Sequence, residues 1–350
     1  MNREIRIGSH RIGLNHPPFV IAEMSGNHNQ SLDRAFAIVD AAAKSGAHAL
    51  KIQTYTPDTM TLNIKDGDFL VKDFKNSWEG KSLYDLYAEA MTPWEWHEAI
   101  KKRCEANKML FFSTPFDDSA VDFLEKLDVE FFKVASFENT DIPLIRKIAK
   151  IGKPMIISTG MASISEIGET VEEAKSAGCK SIILLKCTSA YPATPAEANL
   201  LTIKNMRDLF KVEVGLSDHT MGIGVGIAAV ALGATVIEKH FTLDRAEGGV
   251  DSAFSMEPSE FKLLVDESFK AWQAIGEVSY ERGESEKRSL LYRRSLYISE
   301  DIASGEVFSE KNIRAVRPGK GLPTKYLENF LGKKSKKSIR KGTPVSWDLL

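Results

Sequence analysis

The chain has 350 residues, 43% of them apolar and 27% charged, with a formal net charge of −2. That length can bury one large core and a smaller second one, and the near-neutral balance excludes a nucleic-acid binder that works through bulk charge. No apolar stretch approaches the ~20 residues of a membrane span, and Met1-Asn2-Arg3-Glu4-Ile5-Arg6 lacks the apolar core of a signal peptide, so a cytoplasmic protein without a membrane partner is expected.

In chain order, short β-rich runs alternate with amphipathic stretches. The runs fall at 20–23, 49–53, 109–112, 131–134, 155–158, 182–185, 212–215 and 235–238. Helical patterns lie between them at 31–44, 93–106, 117–126, 163–176 and 195–209, several opened by Ser, Asp or Pro at the capping position. Eight βα units predict an α/β fold, a closed parallel (β/α)8 TIM barrel over residues 1–276. A doubly wound sheet is the alternative, but its glycine fingerprint is missing after the first strand. Gly222-Ile223-Gly224-Val225-Gly226 lacks the GxGxxG spacing, and close helix packing explains it. Cys104, Cys179 and Cys187 are odd in number and widely spaced, so they are expected to be reduced and structural.

Beyond the barrel, residues 277–290 are charged and short of apolar side chains, which predicts a linker. The segment 291–350 carries a weak internal repeat: Ile302-Ala303-Ser304-Gly305 before Phe308-Ser309 is echoed by Ile339-Arg340-Lys341-Gly342 before Val345-Ser346. Short strands and turns in a small β-rich domain are expected there. Lys333-Lys334-Ser335-Lys336-Lys337 has no aromatic side chains interleaved for base stacking and reads as a solvated face.

Active sites of barrels lie at the carboxyl ends of the strands, and the polar residues of this sequence gather there. Glu23 and Asn27-His28-Asn29 follow the first run, Lys51 and Gln53 the second, and Ser113-Thr114 the third. Lys133 and Ser136 come next, then Ser158, then Lys186, Thr188, Ser189 and Tyr191, then Ser217 and His219, and finally Glu238 and His240. A lone histidine is more often a satisfied, partly buried side chain than a ligand, yet His219 and His240 each close a strand run at period two from polar partners. Two neutral imidazoles on neighbouring strand ends would hold a divalent metal with open positions, able to polarise a carbonyl. Lysines inside apolar strands, with hydroxyls beside them, suit a small anion rich in oxygen. Glu23 in the barrel mouth would serve as general base.

Taken together, Ile21-Ala22-Glu23 with Asn27-His28-Asn29, Lys51-Ile52-Gln53, Ser113-Thr114-Pro115-Phe116, Lys133 to Ser136, Ser158-Thr159-Gly160-Met161, Gly215 to His219, Glu238 to Phe241 and Arg317-Pro318-Gly319 resemble the sialic acid synthase family along essentially the whole length. Trp78 to Tyr84 and Thr92 to His97 are most similar to its pseudaminate branch. The resemblance implies a TIM barrel followed by a small antifreeze-like (SAF) domain, and condensation of phosphoenolpyruvate with an acetamido sugar, 2,4-diacetamido-2,4,6-trideoxy-L-altrose in that branch. By the same resemblance His219 and His240 would bind Mn2+, with Mg2+ or Co2+ as substitutes. Lys51, Thr114, Lys133, Ser136, Ser158 and Ser217 would hold phosphoenolpyruvate, and Glu23 would assist the attack of water. Asp251 and Tyr191 would bind the sugar, and Arg317 would reach it from the other subunit of a domain-swapped homodimer.

Ser189, where neuraminate enzymes tend to carry asparagine, and the charge of Lys186 set the acceptor contacts apart. The insertion between Gln53 and Pro93 is expected to form a lid or sugar-selecting loop. An N-acetylneuraminate or legionaminate synthase, a barrel aldolase or lyase acting on related keto acids, and a non-catalytic carbohydrate-binding protein are the competing readings; the full set of strand-end residues disfavours the last.

Overall fold

Residues 4–72 and 78–350 are described by a computed structural model, in which the alternation of strand and helix closes into a parallel barrel. Two short strands precede it, β1 (Ile5–Ile7) and β2 (His10–Ile12), paired as an antiparallel hairpin that the sequence reading did not anticipate. The barrel strands are β3 (Phe19–Glu23), β4 (Ala49–Thr54), β5 (Leu110–Pro115), β6 (Phe132–Val134), β7 (Met155–Ser158), β8 (Ile182–Cys187), β9 (Glu213–Asp218) and β10 (Val236–His240). They follow one another around the ring, and β10 closes it by pairing with β3.

The helices form where the caps say they should. Ser31 accepts from the Arg34 amide, Asp117 from Ser119 and Ala120, and Ser163 forms a capping box with Glu166. The expected helix at 195–209 is broken instead into a 3-10 turn, Pro195–Glu197, and a helix, Leu201–Phe210. Asn199 takes a left-handed conformation at φ 45°, which ends the first turn before the second begins.

Strand alternation divides the apolar residues into two cores. Phe19, Ile21, Ala49, Phe112, Phe131, Ile156, Ile183, Leu185 and Val236 fill the barrel interior, and Ile5, Ile7 and Ile12 of the hairpin join them. The hairpin turn at Gly8 lies against Leu110, the first residue of β5, so it seals the amino end of the barrel. The odd-numbered partners of β3 and β4 point inward, and residues such as Val20, Leu50, Ile157 and Leu184 pack outward under the helices. Among the described residues no helix is long and apolar enough to cross a membrane.

Two compact units make up the chain, Met1–Gly276 and Glu277–Leu350. The stretch expected as linker holds a short helix, Glu284–Ser289, with acidic residues in its first turn, basic ones in its last, and an ion pair between Glu284 and Lys287. In the second unit β11 (Ser295–Ile298) pairs with β12 (Ile313–Val316) over a core of Leu296, Ile298, Ile302, Phe308, Ile313, Phe330, Ile339, Val345 and Leu349. The internal repeat pairs with itself, since the amides of Ile302 and Ile339 each donate to the other's carbonyl at 2.8 Å. Gly305 donates to Ser335 and Gly342 to Ile298, Phe308 to Lys333 and Val345 to Leu296, so these contacts of one copy recur in the other.

Candidate active site

The period that fills the lower barrel with Ile21, Ala49, Phe131, Ile156, Leu185 and Val236 delivers Glu23, Lys51, Lys133, Ser158, Cys187 and Glu238 one step higher on the same inner face. Thr114 and Ser217 join them from β5 and β9, and His219 and His240 stand at the strand ends above. Apart from His240, which is half-buried, these side chains are buried in one another's company at the carboxyl end of the barrel.

Glu238 is the hub. Its Oε1 lies 3.6 Å from Lys51 Nζ and 3.9 Å from Lys133 Nζ, and it accepts from Ser217 Oγ at 3.1 Å. Glu238 Oε2 is buried without a hydrogen-bond partner. Lys51 also lies 3.0 Å from Glu23 Oε2 and 3.4 Å from Thr114 Oγ1, and Lys133 donates to Ser158 Oγ at 2.7 Å. Ser136 is tied to the next strand's loop, its Oγ accepting from the Gly160 amide at 3.0 Å.

Burial alone would raise both carboxyls and lower both ammonium groups. The outcome differs residue by residue. Burial wins at Glu23, whose pKa is raised to about 7 although Lys51 and the Gln53 amide oppose it. At Glu238 the two lysines outweigh burial and hold it below its usual value. At Lys51 the neighbouring Glu23 and Glu238 outweigh burial and raise its pKa, whereas Lys133 is lowered by burial to about 8. Near neutral pH two ammonium groups therefore face one firmly ionised carboxylate and one that titrates, a positive balance that suits an anion.

Across the mouth the imidazoles of His219 and His240 have ring centroids 5.3 Å apart. His219 Nδ1 lies 2.9 Å from the Thr188 carbonyl, which can only accept, so Nδ1 carries the proton and Nε2 is left as a lone pair. His240 Nδ1 is buried with no hydrogen-bond partner, and burial with nearby cations holds the ring neutral. Among the described residues no set of three or more His, Cys, Asp or Glu side chains converges as a full ligand shell. Burial favours the neutral His219 ring, but Cys187, the Thr188 carbonyl and Glu238 outweigh it and raise its pKa. With its Nε2 deprotonated, His219 and the neutral His240 would fit a divalent ion whose remaining positions water and substrate would fill. The Tyr191 ring packs at a tilt against His219, centroids 4.4 Å apart, and against Phe254 at 5.3 Å, and Phe254 lies 5.0 Å from His240. Asp251 accepts from Ser25 Oγ and lies 4.0 Å from His240 Nδ1.

Two sequence readings are corrected here. Cys187 is not a packing residue, because its parity turns Sγ into the mouth, 3.9 Å from His219 Nδ1. Burial pushes its thiol up, and His219 beside it brings the pKa down to about 7. Lys186 has the opposite parity and faces outward, bonded to the Cys187 carbonyl and Thr188 Oγ1, so it adds no charge to the acceptor end. Glu238 and Gln53 were visible as strand-end residues, but their partners depend on register between strands. Gln53 Nε2 donates to both Glu23 Oε1 and Ser25 Oγ at 3.1 Å.

The Asn27-His28-Asn29 motif is scaffolding for the site. Asn27 Nδ2 donates to the Phe241 carbonyl and to Ser255 Oγ, and Asn29 Nδ2 to the Gly248 carbonyl, which fastens the loop bearing Asp251. Within the insertion, Trp78 Nε1 donates to the Val250 carbonyl of that loop at 3.0 Å, while residues 73–77 of the expected lid lie outside the described residues. Arg317 belongs to the second unit, exposed beyond β12 in a loop anchored by the Gly319 amide on the Leu291 carbonyl.

The family model described as the NeuB family matches residues 38–280, and that of the SAF domain matches 293–350. A pseudaminic acid synthase of Campylobacter jejuni is 45% identical over 93% of this chain and 94% of its own. An N,N'-diacetyllegionaminic acid synthase of the same species is 38% identical over 92% of this chain and 96% of its own. The crystal structure of an N-acetylneuraminic acid synthetase from Leptospira borgpetersenii in complex with citrate superposes with a TM-score of 0.74 at 34% identity, covering 84% of this chain and 97% of that one.

Proposed function

The chain belongs to the sialic acid synthase (NeuB) family of enzymes, and on that footing we propose that it is a pseudaminic acid synthase. The reaction joins phosphoenolpyruvate, 2,4-diacetamido-2,4,6-trideoxy-L-altrose and water into pseudaminic acid and phosphate, in the cytoplasm where phosphoenolpyruvate is formed. The observation that supports it best is the division of the mouth into two lysines and hydroxyls on one side and two imidazoles on the other, with Glu23 between them in register with His240. The greater identity to the pseudaminate enzyme than to the legionaminate one favours the altrose acceptor.

Lys51 and Lys133, with Thr114, Ser136, Ser158 and Ser217, bind the phosphate and carboxylate of phosphoenolpyruvate and hold its enol carbon toward the aldehyde. A divalent ion held by His219 and His240, Mn2+ by preference, supplies polarisation of the aldehyde oxygen when bound. The enol carbon forms the new bond to the aldehyde carbon, whose oxygen ends as a hydroxyl. Water adds to the oxocarbenium carbon left behind, and Glu23, poised at about 7, takes its proton. The bond from that carbon to the phosphate oxygen then breaks, phosphate leaves with the electron pair, and the hydroxyl gained from water gives up its proton to become the keto group. Of the two protons that water supplies, one ends on the former aldehyde oxygen and one on the phosphate. Asp251 and Tyr191 orient the sugar.

Phosphate release from phosphoenolpyruvate and Mn2+ is to be measured with the altrose derivative and with N-acetylmannosamine in parallel. Release with the first alone is expected. Release only with N-acetylmannosamine moves the chain to the neuraminate branch, and pyruvate formation without consumption of phosphoenolpyruvate would make it a lyase. The reading includes a domain-swapped homodimer in which Arg317 completes the partner's site. Inactive Arg317→Ala and His240→Ala chains, when mixed and reassembled, should then regain activity.

A further inference from the structure

Asp218 and Lys239 stand on the outward face of the barrel wall, directly behind the site. Each sits between two inward residues of it: Ser217 and His219 flank the aspartate, Glu238 and His240 the lysine. The two are partners in register, and theirs is the last pair between β9 and β10. Beyond it the strands part company. The His219 carbonyl accepts from the Ala193 amide and the His240 carbonyl from Met256, so no backbone ladder joins the two histidines.

The side chains make the tie that the backbone lacks. Lys239 Nζ lies 2.6 Å from Asp218 Oδ2 and donates to the Thr220 carbonyl at 2.5 Å. Asp218 Oδ1 accepts from the Thr220 amide at 2.9 Å and from its hydroxyl at 2.7 Å. Both charged side chains are 1% exposed. The helix Gly224–Ala231 covers them, coming so close at Gly226 that an added Cβ would meet Leu264 at 2.8 Å and lie 3.9 Å from Asp218 Oδ2.

A buried ion pair is a costly way to join two strands, and apolar residues of similar volume often do so at least as well. What it supplies is direction, because three donors and a carbonyl fix residues 218–220 against residue 239. We propose that the Asp218–Lys239 pair is a positioning strut, setting the separation of His219 and His240 from behind the wall and thereby the affinity and geometry of the divalent ion. The inference rests on the reading that these two imidazoles hold such an ion.

The test uses the full chain stripped of metal by a chelator and titrated with Mn2+, followed by the electron paramagnetic signal of the free ion, and with Co2+, followed by its visible absorption. The double variant Asp218→Asn, Lys239→Met removes both charges without leaving either unpaired. It is expected to keep the wild-type circular dichroism while its Mn2+ dissociation constant rises about 10- to 100-fold, as for other outer-shell partners, with an altered Co2+ band. Thr220→Val, which deletes one hydroxyl and keeps the pair, should raise it roughly fivefold, and decides the matter if the double variant does not fold. Wild-type affinity and an unchanged Co2+ spectrum in folded variants overturn the strut while leaving the metal reading in place. Wild-type protein that binds neither ion overturns the metal reading, and the strut with it.

Discussion

The lower and upper halves of the barrel interior are built on the same strands, two residues apart, and are buried to nearly the same degree. Ile21 is 0% exposed and Glu23 1%; Val236 is 0% and Glu238 5%. Below, the inner face is aliphatic and aromatic, and each side chain withdrawn from water stabilises the fold by about 1.5–3 kcal/mol. Above, the same degree of burial holds four charges that must satisfy one another, and desolvation opposes every one of them. Burial by itself therefore says nothing about role. One step along a strand exchanges cohesion for reactivity, and the first underwrites the second.

Substitutions can separate the halves. The largest effect is expected at the top: His240→Ala should lower turnover about a thousandfold or more, the scale of a lost Lewis acid, with melting temperature nearly unchanged. Full activity after chelation would contradict it. At the bottom, Phe112 stacks on Phe131 with centroids 3.9 Å apart, and Phe112→Ala should cost about 3–5 kcal/mol in urea unfolding while leaving turnover per folded molecule intact. A smaller loss, about a hundredfold in kcat, is expected for Glu23→Gln. In the wild type kcat/KM should rise with pH through about 7 as Glu23 loses its proton; that limb should be absent from the variant's profile. The smallest effect belongs to Gln53→Leu. The amide stabilises the ionised form of Glu23, so its loss should move the limb to higher pH, and a shift to lower pH would show the bond to be unimportant.

The barrel was legible because eight apolar runs and their capped helices repeat on one scale, and the carboxyl ends of those runs then pointed to Glu23, Lys51, Lys133, Ser158, Ser217, His219 and His240, period two adding polar company for the two histidines. Lys186 and Cys187 were misread because cysteine number and spacing, and a charge near the strand end, say nothing of parity along β8, which turns Cys187 into the mouth and Lys186 away from it. The hairpin of β1 and β2 escaped notice because strands of three residues carry too little alternation to register. Glu238 was visible as a strand-end carboxylate, but its place between two lysines belongs to β4 and β6, far away in the chain. Asn27, by contrast, has the look of a site residue and acts as a clasp.

Glu23 stands on the first strand of the ring and His240 on the last, neighbours only across the closing pair of β3 and β10. The site thus has a birth date in synthesis: no nascent chain that stops short of His240 can possess it, however well its earlier βα units have formed. It also makes substrate a clasp on the ring. Any ligand that bridges Glu23 and His240 favours the closed barrel over forms with an open seam by mass action, so saturating ligand should protect the seam from proteases before it protects anything else.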